Sequence, residues 1–157
     1  MTMQRTPLES LNCSVARSLD VIGEWWTLMI IRDVFMGLHR FEQIREDLGI
    51  SRKVLTDRLN TLVERGVLKK VPIEKGFEEY RLTRKGVELH DVLVVVRQWG
   101  DKWESPKGPP IELVHECGHV TNAFLACDCC GEEVTASNVT AQFGPGHSRA
   151  RRRASQQ

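Results

Sequence analysis

Five residues within ten positions carry the most legible chemistry of this chain: Ser51, Arg52, Lys53, Thr56 and Asn60. Guanidinium and ammonium groups at the start of a helix can hold guanine O6 and N7 or phosphate oxygens. Hydroxyl groups serve either partner. The first helical turn adds its own attraction for phosphate, because its N–H groups have no acceptor inside the helix. Arg58 stands on the flank of this set, where it can support the fold or reach a phosphate. Lys69, Lys70 and Lys75 follow in a short basic stretch, and Arg40 precedes the set; all four are placed to meet phosphates or a minor groove. The plainer reading of these charges is an ordinary solvated face.

A second group is sulfur-bearing. The five cysteines are Cys13, Cys117, Cys127, Cys129 and Cys130. Near the C-terminus the chain reads His115-Glu116-Cys117-Gly118-His119 and then Cys127-Asp128-Cys129-Cys130-Gly131. Cys127 and Cys130 form a CxxC followed by Gly, the pattern of a zinc knuckle, and Cys117 with His119 or His115 could complete four ligands. Zinc is therefore a cofactor option for this segment alone; nothing else in the chain requires a cofactor. Along one straight strand Cys117 and Cys127 would lie roughly 33 Å apart. Sharing a metal then needs a chain reversal near Thr121-Asn122, or ligands from two subunits. The alternatives are a short hairpin with free thiols or, third, a thiol–disulfide enzyme, although no redox-type βαβ pattern surrounds the CxxC.

The elements that must position these residues follow from periodicity. Val15, Leu19 and Ile22 predict a first helix, capped by Asn12 or Ser14. Glu24 to Met36 predicts a second helix, apolar on most sides and so buried on more than one face. Phe41, Ile44 and Leu48 mark a third, Gly49 a sharp turn, and Ser51 the cap of a fourth. The fourth would bury Val54, Leu55, Leu59, Leu62 and Val63 and stop at Gly66. A two-stranded ribbon is expected over Val67–Ile73 and Phe77–Leu82, turning at Glu74-Lys75-Gly76, with Pro72 hinting at an exposed edge. Thr83 should cap a long helix reaching Trp103, with more apolar surface than one core face needs. The class is mainly α with a small β wing (α+β): a winged helix-turn-helix with extra N- and C-terminal helices and a small Cys-containing tail segment. The expected division is an arm over 1–12, a DNA-binding and dimerisation domain over 13–105, a Cys/His appendage over 106–143 after PKGPP, and a disordered basic tail over 144–157.

Bulk numbers agree. The chain has 157 residues and a formal net charge of only +1. The charge is unevenly spread: ten Lys/Arg against five Asp/Glu over residues 51–85, but two against seven over 101–133. That asymmetry suggests a DNA face and a separate acidic appendage. No export signal or membrane-length apolar run is present, which points to the cytoplasm and to thiols rather than structural disulfides. No phosphate-cradling Gly loop, Ser/His/Asp grouping or buried carboxylate pair occurs, so an enzyme is not expected.

The order of motifs also resembles a known family. Cys13 before a short helix, Gly23-Glu24-Trp25-Trp26-Thr27-Leu28, and Gly37 to Arg40-Phe41 resemble the start of HxlR-type transcriptional regulators. Ile50-Ser51, Leu55-Thr56-Asp57-Arg58-Leu59, Gly66, Tyr80-Arg81-Leu82-Thr83 through Gly86, and Trp99-Gly100 continue the likeness to about Trp103. The family's usual Lys-Trp-Thr is Trp25-Trp26-Thr27 here. The resemblance implies a homodimer on an inverted-repeat operator in double-stranded DNA, joined through the N- and C-terminal helices. It also puts Cys13 where some members carry a sensor thiol reactive toward oxidants or electrophiles; a packing role for Cys13 is the alternative. The competing function is a winged-helix protein-interaction module with a zinc-stabilised tail. The effector, the operator and the sign of regulation are not encoded in any motif.

Overall fold

The computed structural model describes residues 11–147. Most of the expected arm and the Arg149–Arg153 run lie outside the described residues. The described chain divides into two units, one running to Leu89 with residues from Phe143 onward, the other spanning His90–Gln142. The division falls at the start of the last helix, not at the Pro-rich linker.

In the first unit, α1 (Ser14–Ile22), α2 (Thr27–Phe35), α3 (Phe41–Leu48) and α4 (Arg52–Glu64) precede a two-stranded antiparallel wing, β1 (Leu68–Pro72) and β2 (Glu78–Leu82). A short helix α5 (Arg84–Val87) follows. The order is that of a winged helix-turn-helix, as the sequence predicts. The core is apolar and fully buried: Ile30, Ile31 and Val34 from α2, Ile44 from α3, Leu55, Leu59 and Leu62 from α4, and Val67 and Leu68 at the wing root. The α4 residues repeat at i, i+4, i+7, one face of a 3.6-residue helix.

Several expectations change in detail. α1 starts after Cys13, which sits at the N-cap with extended backbone, so neither Asn12 nor Ser14 caps it. α2 begins only at Thr27; Trp25 precedes it and is 86% exposed, so the segment is not buried on all sides. Val54 lies on the open face of α4, not in its stripe. Pro72 does close the wing ladder, paired with Glu78. The long last helix is broken at Glu88, where α5 ends and α6 (Leu89–Trp103) begins. The reason is local. Thr83 and Gly86 tie the first turn to the wing root, and that turn closes on itself before the chain departs.

That tie is dense. The Thr83 hydroxyl donates to the Gly66 and Val67 carbonyls at 2.6 and 3.1 Å and accepts from the Gly86 N–H at 3.1 Å. Thr83 N–H also donates to Val67 O at 3.0 Å. Gly86 is required because a Cβ there would stand 2.2 Å from Val67 O.

Between α2 and α3 sits a charged clasp. Asp33 is fully buried, and Arg32 reaches it through Nε at 2.9 Å and also holds Asp47 at 2.7 Å. Burial pushes the Asp33 carboxyl above its ordinary value of 3.8, against the lowering effect of Arg32. A raised folded-state value means that the stability this group lends is complete below that ordinary value. It is lost as pH rises through the raised one.

Two predictions follow from these contacts. Gly86→Ala should cost about 3 kcal/mol, because backbone must move. Gly49→Ala, at a positive-φ turn with open space around it, should cost only about 1 kcal/mol; urea denaturation checks the order. Asp33→Asn should flatten the fall of melting temperature with rising pH in the mildly acidic range, read by thermal melts over a pH series.

Candidate functional site

The site is assembled from the α3–turn–α4 segment and the wing. α3 is started by Gln43, whose Oε1 accepts the His39 and Arg40 N–H groups at 3.2 and 3.0 Å. It ends at Gly49, in the left-handed region at φ 63°, which turns the chain sharply. Ser51 then caps α4, its Oγ accepting from Val54 N–H at 3.2 Å. The cap fixes where the first turn of α4 begins. With Leu55, Leu59 and Leu62 buried, Ser51, Arg52, Lys53, Val54, Thr56 and Asn60 are left on the exposed side.

These six are not equivalent. Arg52 is 69% exposed, pairs with Glu42 at 2.6 Å, and lies 5.7 Å over the Phe41 ring. An exposed pair of this kind is weak in water, so Arg52 is readily released to a stronger partner. Arg45, first, and then Arg52 hold the Glu42 carboxyl below its ordinary range. Lys53 makes no ion pair among the described residues. Val54 was missed by the sequence reading, which put it in the core stripe. It is an exposed apolar group next to the polar set, suited to a thymine methyl. Its position one turn before Arg58, not its type, was the available signal.

Arg58 is different: it is only 28% exposed and its NH1 lies 3.8 Å from Glu24. Its geometry is that of a residue linking α4 to the segment before α2, which leaves the support role foremost.

In the wing, Tyr80 N–H donates to His39 O at 2.8 Å, so the chain before α3 adds an edge beside β2. Arg40 Nε is 3.4 Å from Glu79, and Arg81 holds the same carboxylate at 2.6 Å. Arg81 first, then Arg40, keep Glu79 below its ordinary range. Lys70 lies 3.3 Å from Glu78 and 5.9 Å over the Tyr80 ring. Lys69, exposed, is paired across the ladder with Arg81. Lys75 sits at the wing tip in the left-handed region (φ 63°), where among described residues no other non-Gly residue stands. Beside it Phe77 is exposed, an aromatic that basic-residue reasoning did not single out. The wing therefore offers Lys69 and Lys75 as open cations, and Arg40 and Lys70 as cations already engaged.

All five cysteines stand as thiols; Cys13 and Cys127 are half-buried, the others exposed. The four proposed metal ligands fall into two pairs. Cys117 Sγ lies 3.8 Å from His119 Nδ1. Cys127 and Cys130 belong to the other hairpin, bridged at Ala126 with Glu133. Backbone N–H groups of Cys130 and Cys129 push the Cys127 thiol below its ordinary value, with the Cys130 side chain adding to them. Among the described residues no three of His, Cys, Asp or Glu gather as a metal-holding group. Each pair sits on its own hairpin, which closes on itself, and this keeps the four donors from converging.

Among the described residues no helix is long and apolar enough to cross a membrane.

Comparison with known proteins agrees with this architecture. A model of the HxlR-like helix-turn-helix matches residues 21–108. An HTH-type transcriptional regulator of Mycobacterium tuberculosis, itself uncharacterized, is 48% identical over 137 residues, covering 85% of this chain and 87% of the relative. That match extends well past residue 108, so the relative shares much of the appendage. The crystal structure of PA1607, described as a candidate transcription factor, superposes with a TM-score of 0.80 at 37% identity, covering 88% of this chain and all of that one. The reduced form of the regulator YodB from Bacillus subtilis superposes with a TM-score of 0.51 at 28% identity, covering 60% of this chain and 96% of that one. The chain thus belongs to the HxlR-like helix-turn-helix family of transcriptional regulators.

Proposed function

We propose that this regulator binds double-stranded DNA sequence-specifically, as a homodimer on a pseudo-palindromic operator. α4 enters the major groove and the wing meets the backbone beside it. The observation that carries the reading is the open face of α4: a capped, Gly-set helix whose polar N-terminal residues stand clear of its buried stripe. Arg52, Lys53, Val54 and Thr56 read bases; Ser51, Asn60, Lys69 and Lys75 position the backbone. Lys70, Arg40 and Arg58 support the surface that the others use.

The two-fold arrangement rests on apolar surface. α1 exposes Val15 and Leu19, and α6 exposes Val92, Val95, Val96, Trp99 and Trp103. Apolar faces of this extent are covered by a partner, and a second copy is the economical one. Two α4 helices then lie about 34 Å apart, one DNA turn. The protein acts in the cytoplasm, without catalysis.

Regulation by a thiol signal is supported by Cys13. It occupies the N-cap of α1 and is half-buried. Structural relatives include the redox regulator HypR in an oxidized form, with a TM-score of 0.50 at 26% identity. A signal at Cys13 would act by changing how α1 packs, and so the spacing of the two α4 helices.

Selection of bound sites from random duplexes tests the proposal. The expected winner is a pseudo-palindrome bound far more tightly than random DNA, with a steep salt slope. Arg52→Ala should cost about 1–3 kcal/mol on the operator and much less on random DNA. Lys75→Ala should weaken both alike and reduce the salt slope by about one. Equal losses on operator and random DNA for Arg52→Ala would remove it from the base-reading set.

A further inference from the structure

Residues 104–142 contain no buried residue, yet they form defined turns and bridges. Hydrogen bonds hold them to α6 and to each other. The Gln98 amide clamps Ala123, donating to its carbonyl at 2.8 Å and accepting its N–H at 2.9 Å. Arg97 donates to Ile111 O at 2.9 Å. Thr121 N–H donates to Leu113 O at 2.6 Å, beside the bridge of Val114 with Val120. Val134 N–H donates to Leu125 O at 2.7 Å, beside the bridge of Ala126 with Glu133. The chain is thus tied to α6 at Ile111 and Ala123, and it closes on itself between and beyond those ties.

α6 and this segment enclose an open cavity of about 540 Å³. It lies wholly within the second unit. Small-molecule sites commonly measure about 300–1,000 Å³. The walls are largely apolar: Val94 and Val95 from α6, and Leu113, Val114, Phe124 and Leu125 from the facing segment. Val94 is buried, whereas Val95, Val114, Phe124 and Leu125 are exposed. One exposed apolar group needs no explanation, but four around one cavity do. Of the lining, Val95 alone also belongs to the α6 face assigned to a second copy.

The charge on the lining has one sign. Asp91 and Glu112 stand on it, and no Lys or Arg does. Asp91 lies 3.6 Å from His90 Nδ1, and among the described residues neither carboxylate pairs with Lys or Arg. The Phe124 ring offers a further face that attracts cations. A bare metal ion is a poor occupant, because among the described residues no three of His, Cys, Asp or Glu gather as a metal-holding group. It would also leave the apolar walls wet. An organic cation with an apolar body satisfies both parts of the lining. Its body displaces water from the walls, and its charge rests beside the carboxylates.

We propose that the cavity between α6 and residues 112–125 is a binding site for a lipophilic organic monocation. The site does not rest on the DNA-binding reading.

The test is calorimetric titration of the full chain with tetraphenylphosphonium and, in parallel, with tetraphenylborate. The two ions share size and shape and differ in the sign of their charge. One phosphonium per chain is expected, bound about 10-fold more tightly than the borate. Asp91→Asn and Glu112→Gln should each weaken the phosphonium about 2- to 5-fold and leave the borate no weaker. Phe124→Leu keeps the wall apolar but removes the ring, and should also cost the phosphonium about 2- to 5-fold. Val114→Arg puts a cation on the lining and should reverse the preference between the two ions. All four positions are exposed, and circular dichroism verifies that the variants fold. Absence of phosphonium binding to the parent chain, or borate bound as tightly as phosphonium, would overturn the inference. So would phosphonium binding indifferent to Glu112→Gln and Val114→Arg. Binding lost as the protein is concentrated would overturn it too, giving the cavity to a second copy.

Discussion

A single carbonyl, that of Val67, joins the end of α4 to the wing and α5. It receives the Thr83 N–H and hydroxyl, and Gly86 comes so close to it that no side chain fits between. On the other side Val67 N–H donates to Leu62 O at 2.9 Å, the last buried position of α4. Thus α4, β1, β2 and α5 meet within one residue. A winged helix needs the angle between helix and wing fixed, because both must touch one duplex. Here the angle is fixed by backbone hydrogen bonds at a buried corner rather than by long side chains.

The surface built on that corner is held less firmly, and this has a physical logic. Arg52 and Lys70 rest on the exposed carboxylates Glu42 and Glu78, and Arg40 on the half-buried Glu79. Such pairs are weak in water and keep the cations from wandering. They also lower the charge repulsion among ten basic residues confined to 35 positions. A phosphate, presented without competing water, can take each cation from its resting partner. Among the described residues Lys53 and Lys75 carry no such pair, so long-range attraction falls first to them. The buried Asp33 follows another rule. Its charge is matched by Arg32, and that match secures α2 to α3 at the cost of desolvation.

Much of this was legible in the sequence because it is written in local rules. Gly49, Ser51, Gly66 and Thr83 each do what their residue types do at turns, caps and helix ends. The buried α4 positions follow from a spacing of three and four. What was not legible depends on tertiary context. Val54 has the same apolar character as Leu55, and only the direction of the core separates them. Trp25 reads as core by composition, but the helix starts two residues later. The break at Glu88 is imposed by a hydrogen-bonded corner assembled from residues twenty positions apart. For the cysteines, spacing names candidate ligands, but which hairpin each stands on is set by the backbone.

The appendage and the winged domain are stabilised on opposite principles, and this bears on what each can do. The winged domain has a dry apolar core, so its site residues can be exposed without loss of fold. Residues 104–147 include no buried residue. Their order comes from an amide clamp, two small bridges and Gly-ended turns, each individually weak in water. Such a segment responds strongly to anything that joins its parts, since one added bond is a large fraction of its total stability. The matched relative shares much of this segment, whereas the shorter family match ends at residue 108.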